Sequence, residues 1–186
     1  MSISELKARI PDYAKDLRLN LDSVLAETGA PGLTQKQIGL IALAGAIASR
    51  HAPLIDAIAM EAAKSASPQE LDGARSAAAI MAMNNVYYRF THLVSDPEYQ
   101  TPRAGLRMNA MANPGCDKLD FELCSIAVSA INGCGQCMDS HEKTLKKHGV
   151  SAQAIQGAVR IAAVVHAVAV TLEQAPSAGI ELAAAA

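Results

Sequence analysis

Apolar positions dominate this chain, and polar starts with Gly or Pro stops divide them into segments of helical length. At one extreme stands Ile161 to Val170, an apolar stretch interrupted only by His166. At the other is the charged, amphipathic opening MSISELKARIPDYAKDL. Pro11 suits the first turn of a helix running to about Glu27, which the breaker Thr28-Gly29-Ala30-Pro31-Gly32 ends. Thr34 with Gln37 fits a capping box, and Ser67-Pro68-Gln69-Glu70 fits another with Pro in the first turn. Two further helices start there. Asp96-Pro97, Thr101-Pro102 and Asn113-Pro114-Gly115 punctuate residues 95–116, predicting a connection with one short helix near Leu106 to Ala110. About a fifth of the chain is alanine and only 3% is aromatic, so helix propensity prevails and the expected fold class is all-α.

A length of 186 residues, 51% of them hydrophobic, suffices for one domain, 1–186, with a sizeable core. The connection separates an N-terminal half, 1–94, from a C-terminal half, 117–186. The halves look alike. Ser67-Pro-Gln-Glu-Leu-Asp-Gly-Ala lies on Ser151-Ala-Gln-Ala-Ile-Gln-Gly-Ala, and Thr34 then falls on Asp120, two residues that can each cap a helix. A duplicated helical unit follows. In that alignment Lys36, Ala48, His51 and Ile55 occupy the places of Glu122, Cys134, Cys137 and His141, so the helical pattern does not itself require the latter four.

A net charge of −2 with no Trp and few other aromatics provides neither the basic patch nor the stacking surface of a nucleic-acid partner. The apolar stretch at Ile161 to Val170 falls short of the roughly 20 residues of a membrane span. The opening segment lacks the apolar core of a secretory signal, so a cytoplasmic location is expected. In that reducing compartment four cysteines are not a disulfide framework, and the close pair Cys134 and Cys137 reads as redox-active or metal-binding.

On a helix beginning near Cys134, the residues Cys134, Cys137, His141, Leu145 and His148 share one stripe, with Gly149 as its stop. Backbone N–H groups and the dipole at a helix start stabilise a thiolate, and cysteines three apart can close a disulfide. If Asn132-Gly133 turns the chain into an antiparallel pair, Glu122 sits about 15 Å and His141 about 10 Å from the turn, roughly level. The carboxylate then orients the imidazole, and the imidazole takes the proton of Cys137. Zinc bound by Cys134, Cys137, His141 and His148 is the rival reading, but Cys134 and His148 lie roughly 21 Å apart along a straight helix. Cys116 and Cys124 read as packing or loop residues, His51, His92 and His166 as structural, His148 as a partner of the terminal carbonyls, and Met81, Met83, Met108 and Met111 as core filler.

The segments ELKARIPDYAKDLRLNL, MNNVYYR, GLRMNAMANPG and FELCSIAVSAINGCGQCMDSHEKTL closely resemble the alkyl hydroperoxide reductase D (AhpD) family of the carboxymuconolactone decarboxylase-like superfamily. Glu122, Cys134, Cys137 and His141 satisfy that family's Glu-x11-Cys-x2-Cys-x3-His pattern. The resemblance implies an antioxidant thiol peroxidase, homotrimeric, without metal, haem or flavin cofactor. It implies reduction by the dihydrolipoyl-bearing acyltransferase of a 2-oxoacid dehydrogenase complex, and an AhpC-type peroxiredoxin as partner. It also implies that Cys137 becomes the sulfenic acid while Cys134 donates a proton, resolves the disulfide and meets the partner. Some members carry His where this chain has Gln136. The alternative is a decarboxylase-like or ligand-binding helical protein with incidental thiols.

Overall fold

The computed structural model describes residues 1–174. Nine α-helices occupy them: α1 (Ile3–Ala8), α2 (Asp16–Val24), α3 (Gln35–Ser49), α4 (Ala52–Ala62), α5 (Pro68–Leu93), α6 (Asn109–Ala112), α7 (Lys118–Ile131), α8 (Gly135–Lys147) and α9 (Ala152–Gln174). No strand occurs among the described residues, as the alanine-rich composition predicts. The C-terminal half was expected to run to 186, so its last part lies outside the described residues.

Both capping boxes form. Thr34 and Ser67 accept from the amides of Gln37 and Glu70, whose side chains return to the cap amides. The same device, unforeseen, starts α1 at Ser2 and Glu5. The helix expected from Pro11 to Glu27 is shorter. Pro11 opens a single 3-10 turn, Asp12–Ala14, and α2 begins only at Asp16. In the connection, the short helix lies at Asn109–Ala112, slightly beyond its expected place.

The helix at the centre is α3, where every residue from Ile38 to Ala46 is buried. It packs against α4, α5, α7 and α9, which explains why its sequence is apolar on every side. Small residues permit the close approach. A Cβ placed on Gly39 would lie 3.0 Å from the Cβ of Ala62 on α4. By length and composition α9 could cross a membrane, yet 56% of its most apolar window is buried inside the protein. Its contacts with α2, α3 and α7 account for that apolar face.

Helix caps correct the internal alignment. Asp117, not Asp120, caps α7, its carboxylate accepting from Leu119 and Asp120. The caps Thr34, His51 and Ser67 of α3, α4 and α5 thus recur as Asp117, Cys134 and Ser151 before α7, α8 and α9. In that register Gly39, Leu54 and Ile58 stand where Glu122, Cys137 and His141 stand, and Leu54 and Ile58 are core. Asp120 instead is buried within the first turn of α7, where the Lys36 ammonium lies 2.9 Å from one carboxylate oxygen and Gln37 donates to the other. Lys36 also meets Glu70 at 2.8 Å, so one cation ties together the starts of α3, α5 and α7.

Removing this cation leaves Asp120 buried without its charge partner. Lys36→Met should lower unfolding free energy in urea by about 2 kcal/mol, below the roughly 3–5 kcal/mol of a fully enclosed pair because the lysine is partly exposed. Lys36, with Ser67, also holds the Glu70 carboxyl down at about 2 from an ordinary 4.5. A depressed acid stabilises the fold fully above its unfolded value, and that contribution is lost as pH falls through its folded value. Stability should therefore drop between about pH 4.5 and 2, and Lys36→Met should flatten part of that limb.

Candidate active site

The turn between α7 and α8 is made by Asn132 and Gly133, and Gly133 takes a φ of 67° that disfavours any residue with a Cβ. A buried polar relay fixes this turn to α5. Asn85 donates to Ser129 at 2.9 Å, Asn132 donates to Asn85 at 2.9 Å, and Arg89 reaches the Asn132 carbonyl. The chain then enters α8 with Cys134 as its N-cap, its sulfur 3.3 Å from the amide of Cys137. Cys134 and Cys137 are joined as a disulfide with their Cα atoms 5.3 Å apart. Of the expected stripe, Cys137, His141 and Leu145 form the buried face of α8, Cys134 is its N-cap, and His148 is its exposed C-cap.

Glu122 and His141 meet as their distances from the turn anticipated. Nδ1 of His141 lies 2.7 Å from Oε2 of Glu122, and both side chains are about nine-tenths buried or more. A carboxylate at Glu122 accepts from an Nδ1–H, the arrangement that leaves the Nε2 lone pair for other partners. Nε2 faces the Met81 thioether at 3.2 Å, a weak partner that leaves its lone pair largely uncommitted.

Cys137 and His141 line one cavity of about 130 Å³ together with Met81, Asn84, Tyr88, Met111, Gln136 and Ser140. A second cavity of about 290 Å³ adjoins it through the shared residues Tyr88 and Gln136, with Tyr87, His92 and Tyr99 among its walls. Met81 and Met111 are thus walls of the site rather than filler alone, and His92, expected to be structural, is exposed at the outer cavity. Met81, Asn84 and Tyr88 follow a three-and-four spacing on α5 that presents one face to α8. Their periodicity was readable, but what that face meets depends on packing.

The two cysteines differ in access. Cys134, expected to meet the partner, is 0% exposed, whereas Cys137 is 7% exposed and opens on the cavity. The rival zinc set does not assemble, because His148 turns to the Thr144 carbonyl at 2.8 Å, the terminal-carbonyl role expected of it. No group of three His, Cys, Asp or Glu suited to a metal ion occurs among the described residues. His51 is buried against Glu173 at 2.6 Å and His166 meets Ser49 at 3.2 Å. Cys124 is fully enclosed, and burial pushes its thiol well above the usual range. Burial, then the charges of Asp120 and Asp117, also raises the Cys116 thiol. Both remain protonated, and the pair on α8 is chemically set apart.

The structure is a helical domain with a cysteine pair at a helix start beside a buried carboxylate–imidazole pair, and comparison with known proteins gives its family. The model of the carboxymuconolactone decarboxylase family matches residues 97–178. The protein named alkyl hydroperoxide reductase AhpD in Streptomyces avermitilis is 57% identical over 173 residues, covering 93% of this chain and 96% of that protein. Its namesake in Rhodopseudomonas palustris strain BisA53 is 58% identical over 173 residues, covering 93% and 94%. The one in Brucella abortus is 53% identical over 176 residues, covering 94% and 98%. The chain belongs to the AhpD family.

Differential access and thiol chemistry give a direct check. After reduction, brief alkylation and peptide mass spectrometry should label Cys137 first, with Cys134 and Cys124 unlabelled until the protein is denatured. Treatment of the reduced protein with peroxide before alkylation under denaturing conditions should remove both labels from the Cys134–Cys137 peptide. A Cys116–Cys124 linkage would contradict the assignment.

Proposed function

We propose that this protein is an alkyl hydroperoxide reductase whose Cys134–Cys137 dithiol is oxidised by peroxides and restored by dihydrolipoyl groups. The observation that carries the reading is the disulfide itself: its Cys137 end opens on a cavity shared with His141, which Glu122 holds at 2.7 Å. The names of the relatives support the activity. The family model's name includes a decarboxylase, but lactone decarboxylation has no use for a dithiol, which weighs against that alternative.

In the oxidative half, Nε2 of His141 takes the proton of the reduced Cys137 while Glu122 stabilises the imidazolium. The thiolate attacks the terminal oxygen of the hydroperoxide. The O–O bond breaks, the alkoxide takes the proton back from His141, and the alcohol leaves. Cys134 then condenses with the Cys137 sulfenic acid, releasing water and forming the disulfide.

In the reductive half, a dihydrolipoyl thiolate attacks Cys137, the sulfur that faces the cavity, and Cys134 departs as thiolate. The N-cap position of Cys134 favours that leaving group, since the N–H groups and dipole of α8 stabilise negative charge there. The second lipoyl thiol closes the lipoyl disulfide and frees Cys137. Burial of Cys134 supports a first exchange at Cys137, whereas the family resemblance implies Cys134 as the partner contact. An AhpC-type peroxiredoxin disulfide would be reduced by the same dithiol.

The reading includes a cytoplasmic homotrimer. Val86, Phe90 and Leu93 line up on α5 and are exposed, an apolar face that supports self-association.

Peroxide consumption with lipoamide, lipoamide dehydrogenase and NADH, with and without the peroxiredoxin, tests the whole proposal. Absence of NADH oxidation under both conditions would reject it. Within that assay His141→Ala should lose about 10² to 10⁴ in rate near neutral pH, and Glu122→Gln somewhat less. The double substitution should be scarcely worse than His141→Ala, because members of one catalytic unit are non-additive. Raising the pH toward about 8.5 should recover much of the loss, since the thiolate then forms without a base.

Gln136 stands between the two cavities. Gln136→His would add a cationic group beside the dithiol at low pH, so alkylation against pH should show the thiolate appearing at lower pH than in the parent. An unchanged profile would make residue 136 a spacer.

A further inference from the structure

Two adjacent asparagines on α5 have opposite circumstances. Asn85 is 1% exposed and fully engaged: its amide donates to Ser129 and its carbonyl accepts from Asn132. Asn84 is 3% exposed, yet its Oδ1 has no hydrogen-bond partner among the described residues. Its Nδ2 meets only the Met111 thioether at 3.6 Å. Turning the carboxamide over merely exchanges which atom faces the sulfur. A buried carboxamide with no strong partner is unfavourable, and an apolar side chain of similar size would be the better core residue.

The place of this group gives the reason for it. Asn84 lines the cavity that contains Cys137 and His141. We propose that Asn84 is the hydrogen-bonding contact for the hydroperoxide group of the substrate, its Oδ1 accepting from the terminal O–H, while the Met81 and Met111 side chains receive the alkyl carbon. This rests on the peroxidase reading and deepens it by naming what holds the peroxide before attack.

A thiolate approaching the terminal oxygen needs that oxygen presented along the O–O axis, and a free hydroperoxide in an apolar cavity has no reason to adopt that orientation. The Asn84 acceptor fixes the O–H, leaving the O–O bond to point its alkoxy oxygen toward the proton donor, His141. The hydrogen bonded to Asn84 stays on the oxygen that transfers to sulfur, so the product is the sulfenic acid and the proton balance is unchanged: His141 returns to the alkoxide the proton it took from Cys137. The methionines supply an apolar, deformable wall, which favours an organic hydroperoxide over hydrogen peroxide.

The test compares two electrophiles on the reduced protein. Second-order constants for tert-butyl hydroperoxide and for iodoacetamide at Cys137 are measured by quenched-flow alkylation and mass spectrometry, for the parent, Asn84→Leu and Asn84→Ala. Iodoacetamide reads thiolate availability and access but needs no held peroxide. The expected result is an about tenfold loss toward the hydroperoxide in both variants, a change under twofold toward iodoacetamide, and a thermal midpoint for Asn84→Leu no lower than the parent's. An unchanged hydroperoxide constant, or an equal loss toward both reagents, would overturn the role of Asn84 while leaving the peroxidase reading intact. A parent protein whose thiols the hydroperoxide does not oxidise would reject that reading and this inference with it.

Discussion

The hydrogen bond between Glu122 and His141 is the constraint around which the site is arranged. Each side chain is buried, each comes from a different helix, and neither has an alternative strong partner among the described residues. A carboxylate enclosed in a protein requires such a partner, because loss of hydration is otherwise uncompensated. The pair therefore locks α7 and α8 at one axial register, and that register determines which turn of α8 presents Cys137. It also fixes the imidazole tautomer, leaving Nε2 directed at the cavity side of the helix.

Around that bond the protein separates two kinds of cysteine by environment. Cys116 and Cys124 lie near the acidic start of α7 and in the packed interior, where burial and negative charge keep a thiol protonated. Cys134 and Cys137 lie at the start of α8, where backbone amides and the helix dipole favour the anion. Placement among helix termini and charges, not residue type, distinguishes the two pairs.

The site also shows how two similar runs of three helices acquire different duties. Where α7 and α8 carry Glu122, Cys137 and His141, the cap-matched positions in α3 and α4 are Gly39, Leu54 and Ile58. Gly39 permits the close packing of α3 against α4, and the other two fill the core. At these positions α3 and α4 are committed to packing, whereas α7 and α8 accept buried polar groups, and α5 supplies the polar relay that holds the turn between them.

Helix starts, the punctuated connection and the Glu-Cys-Cys-His spacing were legible because each depends on neighbours within one or two turns. A capping box is a local hydrogen-bond exchange, and the rise per residue places Glu122 level with His141 once the Asn132-Gly133 turn is known. Local information misled where two local solutions compete: Pro11 opens a 3-10 turn instead of α2, and Asp117 takes the cap expected of Asp120. Tertiary structure alone decided that Asp120 is buried against Lys36, that Cys137 lines the cavity while Cys134 does not, and that Met81 and Asn84 are walls of the site. Those outcomes depend on which face of α5 meets α8. Helical periodicity identifies a face, but only the packed neighbours determine whether its polar atoms meet partners, solvent or a cavity.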